Sequence, residues 1–339
     1  MTQVRRLGRD QDSDLRAYFA VQLEAQLDHR AVPPSASYDD WRINLDDPDE
    51  PTTIWGAYRN GELLGGAAGI TFVHGNEHLM AIELRVLPAH RRAGVGTELL
   101  RSLAADATDQ SKHTLLAEVV EPAGIPLSSS PGARFAAAHG FTTGLVELHR
   151  VIDLPVPLER FDALAAHAAR RSIGYTLIAH GNRCPDEHVD AVCAMLTSFM
   201  EETPTGDLEV GEDSWTPQRL RAAEDRRERQ GRRQFATLAL DPSGRAVGLT
   251  YLFKSAATDG KVTQADTLVV PQHRGHRLGL AMKVANLRRM QDALPEATYV
   301  GTWNAEVNDA MVRVNEQLGA TPRERMLDVQ RRVDGRAVS

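Results

Sequence analysis

Cysteine, lysine and long apolar stretches are scarce in this sequence. The 339 residues include two cysteines and four lysines, so no disulfide framework is available, which favours a reducing compartment. The N-terminus has no apolar core typical of a signal peptide, and no run of about 18 apolar residues follows that could span a membrane. These absences predict a cytoplasmic protein that does not interact with membranes.

Several catalytic and metal-binding signatures are missing as well. The sequence contains no Gly-x-Ser-x-Gly, His-Glu-x-x-His, Cys-x-x-Cys or Walker motif, which argues against the enzyme classes that depend on them. His273 and His276 are spaced like metal ligands, but no third ligand is near, so we expect no metal site. The net charge of −7 argues against a nucleic-acid partner and favours a cationic amine as the substrate.

The chain repeats part of itself at a spacing of 183 residues. No gap is needed to align Ala57 to Gly96 of the first copy with Leu240 to Gly279 of the second. The matched positions are turn glycines, one acidic position and a helix entry, namely Gly61/Gly244, Gly65/Gly248, Glu83/Asp266, His90/His273, Arg91/Arg274 and Gly96/Gly279. A repeat of this length predicts two copies of one domain, here called copy one and copy two, rather than a solenoid.

Both copies show the same order of predicted elements. Each has a β-hairpin with a glycine turn, then a strand, a helix, another strand, a short helix and a last strand. A strand–helix–strand step among strands joined by short turns predicts the α+β class, with a mixed, mostly antiparallel sheet flanked by helices in each domain. We predict an N-terminal domain over residues 1–153, a linker over 154–174 and a C-terminal domain over 175–339.

A basic, glycine-rich segment follows the predicted strand that ends at Pro88. Residues 91–97, Arg-Arg-Ala-Gly-Val-Gly-Thr, lead into a helix predicted from Val95. The first N–H groups of a helix lack internal partners and lie at the positive end of the helix dipole, so an anion is stabilised there. Gly94 and Gly96 would let a pyrophosphate approach the backbone. We call residues 91–97, and residues 274–280 of copy two, the phosphate cradles.

The pattern Arg91-x-x-Gly94-x-Gly96 resembles the acetyl-CoA motif of the GNAT N-acetyltransferases, and the resemblance extends over nearly the whole chain. Segments similar to the closing element of that family end at Gly140 and again at Gly319. The resemblance implies a tandem GNAT protein. In this fold the sheet of each domain parts between two central parallel strands, and the pantetheine arm of acetyl-CoA lies in the gap.

The resemblance also implies which residues contact acetyl-CoA. In copy one they are Leu84, Arg85, Val86, Arg91, Arg92, Ala93, Gly94, Val95, Gly96 and Thr97. In copy two they are Val269, Arg274, Gly275, His276, Arg277, Leu278, Gly279, Asn304 and Asn308. Arg277 stands where copy one has Gly94 and would crowd the pyrophosphate, so copy two is expected to be the degenerate copy. Asn308 is equally well placed to cap a helix.

Transfer of acetyl to an amine requires a group that removes a proton from the ammonium. Glu83 and its counterpart Asp266 each lie five residues before a proline on a largely apolar strand, and Glu118 lies on the next strand of copy one. These three are the candidate catalytic residues, and Glu83 is the expected proton acceptor ahead of Glu118 and Asp266, although it could equally be an exposed acid on a half-buried strand. Many family members have a tyrosine acid four residues before the closing glycine, where this chain has Ala136 and Asn315.

We therefore predict an N-acetyltransferase, a monomer or a homodimer, that transfers acetyl from acetyl-CoA to a primary amine of a small molecule or peptide. Transfer would be direct, within a ternary complex. Three alternatives stay open. A mycothiol-synthase-like enzyme shares the tandem architecture, an aminoacyl-tRNA-dependent transferase would need a basic surface, and a non-catalytic CoA-binding scaffold would explain the missing tyrosines. The sequence does not identify the acceptor, because variable loops form the acceptor site.

Overall fold

A computed structural model of the chain describes residues 2–28, 30, 32, 37–202 and 204–333. The chain forms two compact units. Unit 1 comprises Met1–Glu147, Thr205–Gly211 and Glu324–Ser339, and unit 2 comprises Leu148–Pro204 and Glu212–Arg323. Each unit combines helices with a mixed sheet, which confirms the predicted α+β class. Within the described ranges, no helix has the length and apolar character needed to cross a membrane.

The secondary-structure elements are numbered along the chain. The helices are α1 (Asp12–Leu27), α2 (Tyr38–Leu45), α3 (Val95–Asp109), α4 (Pro131–Ala138), α5 (Leu158–Ala169), α6 (Val189–Glu202), α7 (Pro217–Arg229), α8 (Leu278–Ala293) and α9 (Asp309–Gln317). The strands are β1 (Gln3–Arg6), β2 (Thr52–Arg59), β3 (Glu62–Ile70), β4 (Leu79–Val86), β5 (Thr114–Pro122), β6 (Thr142–Asp153), β7 (Thr176–His180), β8 (Arg233–Leu240), β9 (Ala246–Lys254), β10 (Lys261–Val269), β11 (Tyr299–Ala305) and β12 (Thr321–Arg332).

The sheet of unit 1 has the strand order β1-β2-β3-β4-β5-β12. Its β4–β5 pair is parallel, and the other pairs with a defined register are antiparallel. Helix α3 is the crossover between the two parallel strands. Val95, Leu99 and Leu103 recur every four residues, which gives α3 one apolar face, and all three are buried in the core of this unit. This packing fixes the start of α3, and hence the cradle, beside the end of β4.

Unit 2 repeats this layout with the strand order β11-β10-β9-β8-β7, and here the parallel pair is β10–β11. Helix α8 is the crossover, and Leu280, Val284 and Leu287 on it are buried in the core. The predicted linker, residues 154–174, is part of this core rather than a connection between domains. It contains α5, whose fully buried Phe161 belongs to the same apolar cluster as α8, because an amphipathic helix gains stability by burying its apolar face.

The last strand of each copy does not stay with its own copy. Strand β12 belongs to copy two in sequence, yet it pairs with β5 in unit 1, from Glu324↔Pro122 to Arg332↔Thr114. Conversely, the second half of β6, Leu148–Asp153, belongs to unit 2 and lies beside β11. The compact units therefore differ from the predicted domains 1–153 and 175–339. A strand presents the same alternating faces to either sheet, so its periodicity does not reveal this exchange.

Two buried carboxylates hold the start of β12 in unit 1. Glu324 accepts hydrogen bonds from the Arg30 guanidinium at 2.8 and 2.9 Å and from the Val32 amide at 3.1 Å. Glu121 on β5 accepts one from Arg325 at 2.8 Å. Both acids are fully buried, and a buried charge is tolerated only when it is paired and hydrogen-bonded. These pairs make the placement of β12 specific.

The two copies share one topology over residues 57–96 and 240–279, which confirms the predicted duplication. The alignment is not free of gaps, however. The hairpin turn between β8 and β9 closes with an Asp241–Arg245 hydrogen bond and is one residue longer than the Asn60-Gly61 turn of copy one. Strand β10 has a register shift between Gln264 and Thr267, where β4 pairs regularly with β3. A β-bulge supplies this extra residue.

Candidate functional site

The cradle of copy one presents unbonded backbone N–H groups. Gly94 adopts a left-handed conformation with φ of 80°, and α3 begins at the next residue. Within the described part of the chain, the amides of residues 92–97 have no hydrogen-bond acceptor. Because they lie at the positive end of the α3 dipole, these amides have the arrangement that favours an anion. Arg92 is exposed beside them and adds a positive charge.

Arg91 has a structural role in this loop. Its Nε donates to the carbonyl of Val86 at 3.1 Å, and its guanidinium pairs with Asp28 at 2.5 Å. Arg274 of copy two makes the equivalent Nε bond to Val269 at 3.1 Å. The first arginine of each cradle therefore ties the loop to the end of the preceding strand.

The two glycines of the copy-one cradle serve different purposes. A Cβ atom at Gly94 would meet no atom within 4 Å, so the space above this residue is open to a ligand. A Cβ at Gly96 would lie 3.1 Å from the Phe135 ring on α4. A side chain at position 96 would therefore press on Phe135 where α3 packs against α4, a constraint that the motif did not reveal.

The cradle of copy two is tied to the end of α5 and to the segment that follows it. Arg277 takes the left-handed conformation with φ of 56°, and its guanidinium donates to the carbonyl of His167 at 2.8 Å. His276 bonds to the carbonyl of Arg171 at 3.1 Å, and His273 bonds to the Tyr175 hydroxyl at 2.9 Å. Both histidines thus have protein partners, and no group of three metal-ligating side chains occurs among the residues that the structure describes.

The central strands of unit 1 part at two of the predicted acids. Strands β4 and β5 pair from Leu79↔Thr114 to Ile82↔Ala117. The next residue on each strand is Glu83 or Glu118, and from there β4 pairs only with β3 while β5 pairs only with β12. The splayed gap implied by the family resemblance is therefore present. The free edge of β4 over residues 84–86 faces it.

Glu83 is exposed and already engaged by a cation. Its carboxylate accepts a hydrogen bond from Arg85 at 2.7 Å, and Arg85 also donates to Gln22 at 3.1 Å. To take a proton from a substrate, Glu83 would have to give up this charge-assisted bond. The predicted contact of Arg85 with the cofactor is likewise replaced here by contacts to protein side chains.

Three further carboxylates, those of Glu118, Glu147 and Asp328, have no hydrogen-bond or ion-pair partner among the described residues. Burial raises the pKa of Asp328 to about 7, with added repulsion from Glu147 and Glu118. Crowding by protein atoms raises the pKa of Glu118, although its side chain is exposed; Glu83 adds to this shift and Arg85 opposes it. The pKa of Glu147 is raised by burial and then by Glu118.

Sequence reasoning missed Asp328. It lies directly opposite Glu118 in the β5–β12 pair, so both side chains point to the same face of the sheet. Its acidic character is visible in the sequence, but its place beside the copy-one gap depends on the strand exchange. No pattern in the sequence indicates that exchange.

The gap of unit 2 has a different lining. Strands β10 and β11 pair from Lys261↔Tyr299 to Gln264↔Thr302, so Trp303 corresponds to Glu118. Strands β6 and β12 are equivalent at a spacing of 179 residues, which makes His149 the counterpart of Asp328. The rings of His149 and Trp303 pack against each other at an angle of 32°, with centroids 4.6 Å apart. Burial raises the pKa of Asp266, and the charge of Arg227 opposes that shift.

The other predicted residues of copy two have structural partners. Asn308 caps α9 by accepting a hydrogen bond from the Met311 amide at 3.2 Å, which confirms the capping interpretation. Asn304 accepts a hydrogen bond from Asn315, the fully buried residue that stands where the family tyrosine would be. The side-chain oxygen of Asn315 has no partner among the described residues.

A buried lysine lies between α8 and α9, and sequence reasoning did not single it out. Lys283 is 3% exposed, and the Sδ atom of Met311, 4.0 Å from its Nζ, is the contact found for it. Burial lowers the pKa of Lys283 to about 7. Copy one has Leu100 at the matching position.

A surface recess of unit 1 lies away from the cradle. It encloses about 470 Å³ and is lined by residues that include Arg6, Arg9, Asp106 and Asp109. Asp106 and Asp109 lie in the last turn of α3, whereas the cradle lies at its first turn. This recess therefore does not belong to the candidate site.

Comparison with known proteins agrees with this geometry. Residues 16–126 match the model of the acetyltransferase (GNAT) family. The chain is similar to a tandem GNAT protein from the clavulanic acid biosynthesis pathway, with 25% identity, a TM-score of 0.80 and coverage of 99% of this chain and 100% of that one. A search of curated proteins gives no significant match.

More distant solved structures show the same fold. A GCN5-related N-acetyltransferase from Sphaerobacter thermophilus is 16% identical with a TM-score of 0.65, over 98% of this chain and 96% of that one. One from Kribbella flavida is 12% identical with a TM-score of 0.54, over 99% and 72% of the two chains. At these identities the likeness concerns the fold alone.

Proposed function

We propose that the chain, which matches the GNAT acetyltransferase model over residues 16–126 and is similar to a tandem GNAT protein along its length, transfers acetyl in unit 1 from acetyl-CoA to the primary amine of a small molecule or peptide. One observation carries this proposal. The strands of unit 1 part between Glu83 and Glu118, next to a helix start with unbonded amides. An anion site and a pair of acids at the same gap are what amine acylation requires.

The cradle would bind the pyrophosphate of acetyl-CoA. Amides 92–97 supply hydrogen-bond donors, Arg92 supplies a charge, and Gly94 leaves room for close approach. Arg91 would position the loop rather than the ligand, because its guanidinium is paired with Asp28. The free backbone edge at Leu84 and Val86 would pair with the amides of the pantetheine arm. The bound co-substrate supplies the activated acetyl group as a thioester.

Of the acids at the gap, we propose Glu118 as the proton acceptor. It faces Glu83 across the gap, and its carboxylate has no partner among the described residues, whereas Glu83 is bonded to Arg85. The raised pKa of Glu118 brings it closer to neutrality, which favours a general base. No tyrosine stands at the family position for the acid, so we assign the return of a proton to the thiolate to solvent.

The alternatives differ in what they require. A mycothiol-synthase-like reaction also acylates an amine and differs only in the acceptor. An aminoacyl-tRNA substrate is disfavoured by a net charge of −7 and by the acids at the gap. A scaffold would bind acetyl-CoA without turnover. We also propose a cytoplasmic location, which is consistent with the unpaired thiols of Cys184 and Cys193.

Two measurements on the full-length protein test the proposal. Calorimetry with acetyl-CoA should show binding to unit 1 that Gly94→Arg strongly weakens. Release of free thiol in the presence of a panel of primary amines should then show turnover that Glu118→Gln removes. Binding without turnover of any amine would favour the scaffold. Binding that Gly94→Arg leaves unchanged would move the site to unit 2.

A further inference from the structure

We propose that the acceptor of unit 1 is a diamine or polyamine, with a second ammonium group about 5–10 Å from the amine that is acetylated. This inference rests on the proposed function of unit 1 and specifies its substrate class. The observation behind it is a row of carboxylates that starts at the gap and continues across two neighbouring strands.

The row carries a large excess of negative charge. Glu83 on β4, Glu118 on β5, Asp328 on β12 and Glu147 on β6 interact electrostatically, each with at least one of the others. In the described part of the chain, Arg85 is the cation whose charge reaches Glu118, and none reaches Glu147 or Asp328. Four acids thus face one arginine, which is itself bonded to Glu83.

Burial increases along the row. Glu83 and Glu118 are exposed, Glu147 is half-buried and Asp328 is only 8% exposed. An unpaired carboxylate at such a depth either keeps its proton, as the raised pKa of Asp328 reflects, or needs a cation beside it. Asp328 and Glu147 have no such cation within the described residues. A cationic ligand that reaches inward from the gap would supply it.

The reacting nitrogen loses its positive charge during acetyl transfer, so the cation that accompanies the buried acids must be a second ammonium group. The attacking nitrogen must lose a proton to Glu118 before its lone pair can form the new bond to the acetyl carbon. As that N–C bond forms, the C–S bond breaks. The second proton lost by the nitrogen balances the proton taken up by the thiolate. The nitrogen therefore ends as a neutral amide and cannot balance the charge of Asp328 and Glu147, so a second ammonium has to do so.

The strand spacing sets the distance between the two nitrogens. Neighbouring strands lie about 4.8 Å apart. Asp328 is one strand away from Glu118, and Glu147 is on the strand beyond β12. An ammonium between these two acids would lie about 5–10 Å from a nitrogen at Glu118, the span of a diamine with four or five carbons.

The test compares 1,4-diaminobutane and 1,5-diaminopentane with butylamine as acceptors for the full-length protein. We expect kcat/KM for the diamines to exceed that for butylamine about 10- to 100-fold, the usual worth of a hydrogen bond to a charged group. Asp328→Asn should remove most of this advantage, because it should raise KM for the diamines far more than KM for butylamine. Glu62→Gln, which removes an exposed carboxylate on β3, is the matched control.

A binding measurement separates this inference from the proposed function. Calorimetry of the same amines with the CoA-saturated protein does not depend on turnover. Tighter binding of the diamines than of butylamine, lost in Asp328→Asn, would support the inference even if no amine were acetylated. Equal binding and equal turnover of diamine and monoamine would overturn it, while acetylation itself would still support the proposed function.

Discussion

Unit 1 and unit 2 have the same backbone layout around their gaps, but the side chains that line those gaps differ in kind. Both first arginines bond to the preceding strand at 3.1 Å, and both helices start after a left-handed residue. In unit 1 the paired strands then carry Glu118 and Asp328. In unit 2 the equivalent places hold the rings of Trp303 and His149, which pack against each other.

This difference shows which part of the fold tolerates change after duplication. The cradle depends on backbone N–H groups, so the left-handed position accepts either Gly94 or Arg277 without loss of its shape. The gap depends on side chains, and there one copy carries charge while the other carries aromatic packing. A shared backbone therefore does not imply a shared activity. Four predictions test this contrast, beginning with the largest effect.

The first prediction concerns the acids at the two gaps. Glu118→Gln should lower kcat for amine acetylation by about 10²–10⁴-fold, the usual worth of a positioned general base. Glu83→Gln should lower it less than about tenfold, because its carboxylate is already bonded to Arg85. Asp266→Asn in copy two is the matched control and should leave kcat unchanged. The reverse order of the two copy-one variants would make Glu83 the base.

The second prediction exchanges the left-handed residues of the two cradles. Gly94→Arg should weaken acetyl-CoA binding about 100-fold, because loss of one or two amide contacts to phosphate costs about 3 kcal/mol. The fold should survive, since Arg277 adopts the same conformation in copy two. Calorimetry measures the affinity, with Arg277→Gly as the control that should leave binding to unit 1 unchanged. Full affinity in a folded Gly94→Arg protein would contradict the assignment of the cradle.

The third prediction concerns the buried amine that only copy two contains. Lys283 has a folded-state pKa of about 7, below its usual value. Its unfolded form therefore binds a proton that the folded form releases, and stability falls as the pH drops from about 10.5 to 7. Lys283→Met should raise the free energy of unfolding at pH 6 by about 2–3 kcal/mol, with little gain above pH 10.5.

Chemical denaturation at several pH values measures this effect. Leu100→Met at the matching position of copy one is the control, and its effect should not depend on pH. A gain from Lys283→Met that is equal at pH 6 and pH 11 would show that Lys283 is not held neutral by burial.

The fourth prediction concerns Asp328 and its counterpart His149, the equivalent residues that differ between the two gaps. The pKa of Asp328 is about 7 in the folded state, above its usual value. The folded form therefore retains a proton that the unfolded form releases, and stability falls as the pH rises from about 4 to 7. Asp328→Asn should stabilise the protein by about 1–2 kcal/mol at pH 8 and not at pH 4.

The counterpart of that variant in unit 2 should behave in the opposite way. His149→Asn removes an aromatic pair with Trp303, which is worth about 0.5–1.5 kcal/mol beyond burial, so it should destabilise the protein. Melting curves of both variants at pH 4 and pH 8 provide the comparison. If both Asp328→Asn and His149→Asn stabilised the protein, both native residues would be unfavourable where they stand. The proposed contrast between the two gaps would then be wrong.

Local features of the site could be read from the sequence, and long-range ones could not. The cradle is set by seven consecutive residues, 91–97, and the parting of the strands was implied by the family resemblance. Glu83 and Glu118 could be placed at the gap because strand register is regular. Asp328 could not, because its position depends on a strand pairing that spans most of the chain.

The fold shows the same division. The class, the duplication and the hairpins follow from local periodicity and turn residues. The helix within residues 154–174 was visible as a helical pattern, but the burial of Phe161 depends on its partners on α8. The extra turn residue near Ser243 and the bulge after Gln264 change the register by one residue each. Identity between the copies is too low at these places to locate them.

The exchange of β6 and β12 has a consequence for the history of this protein. If the proposed roles are right, copy one depends for its last strand and one of its acids on residues that copy two encodes. A deletion of copy two would therefore disable copy one as well, even if copy two catalyses nothing. Selection on one half would then retain both. The duplication has in this sense become irreversible, because the activity requires both copies in one chain.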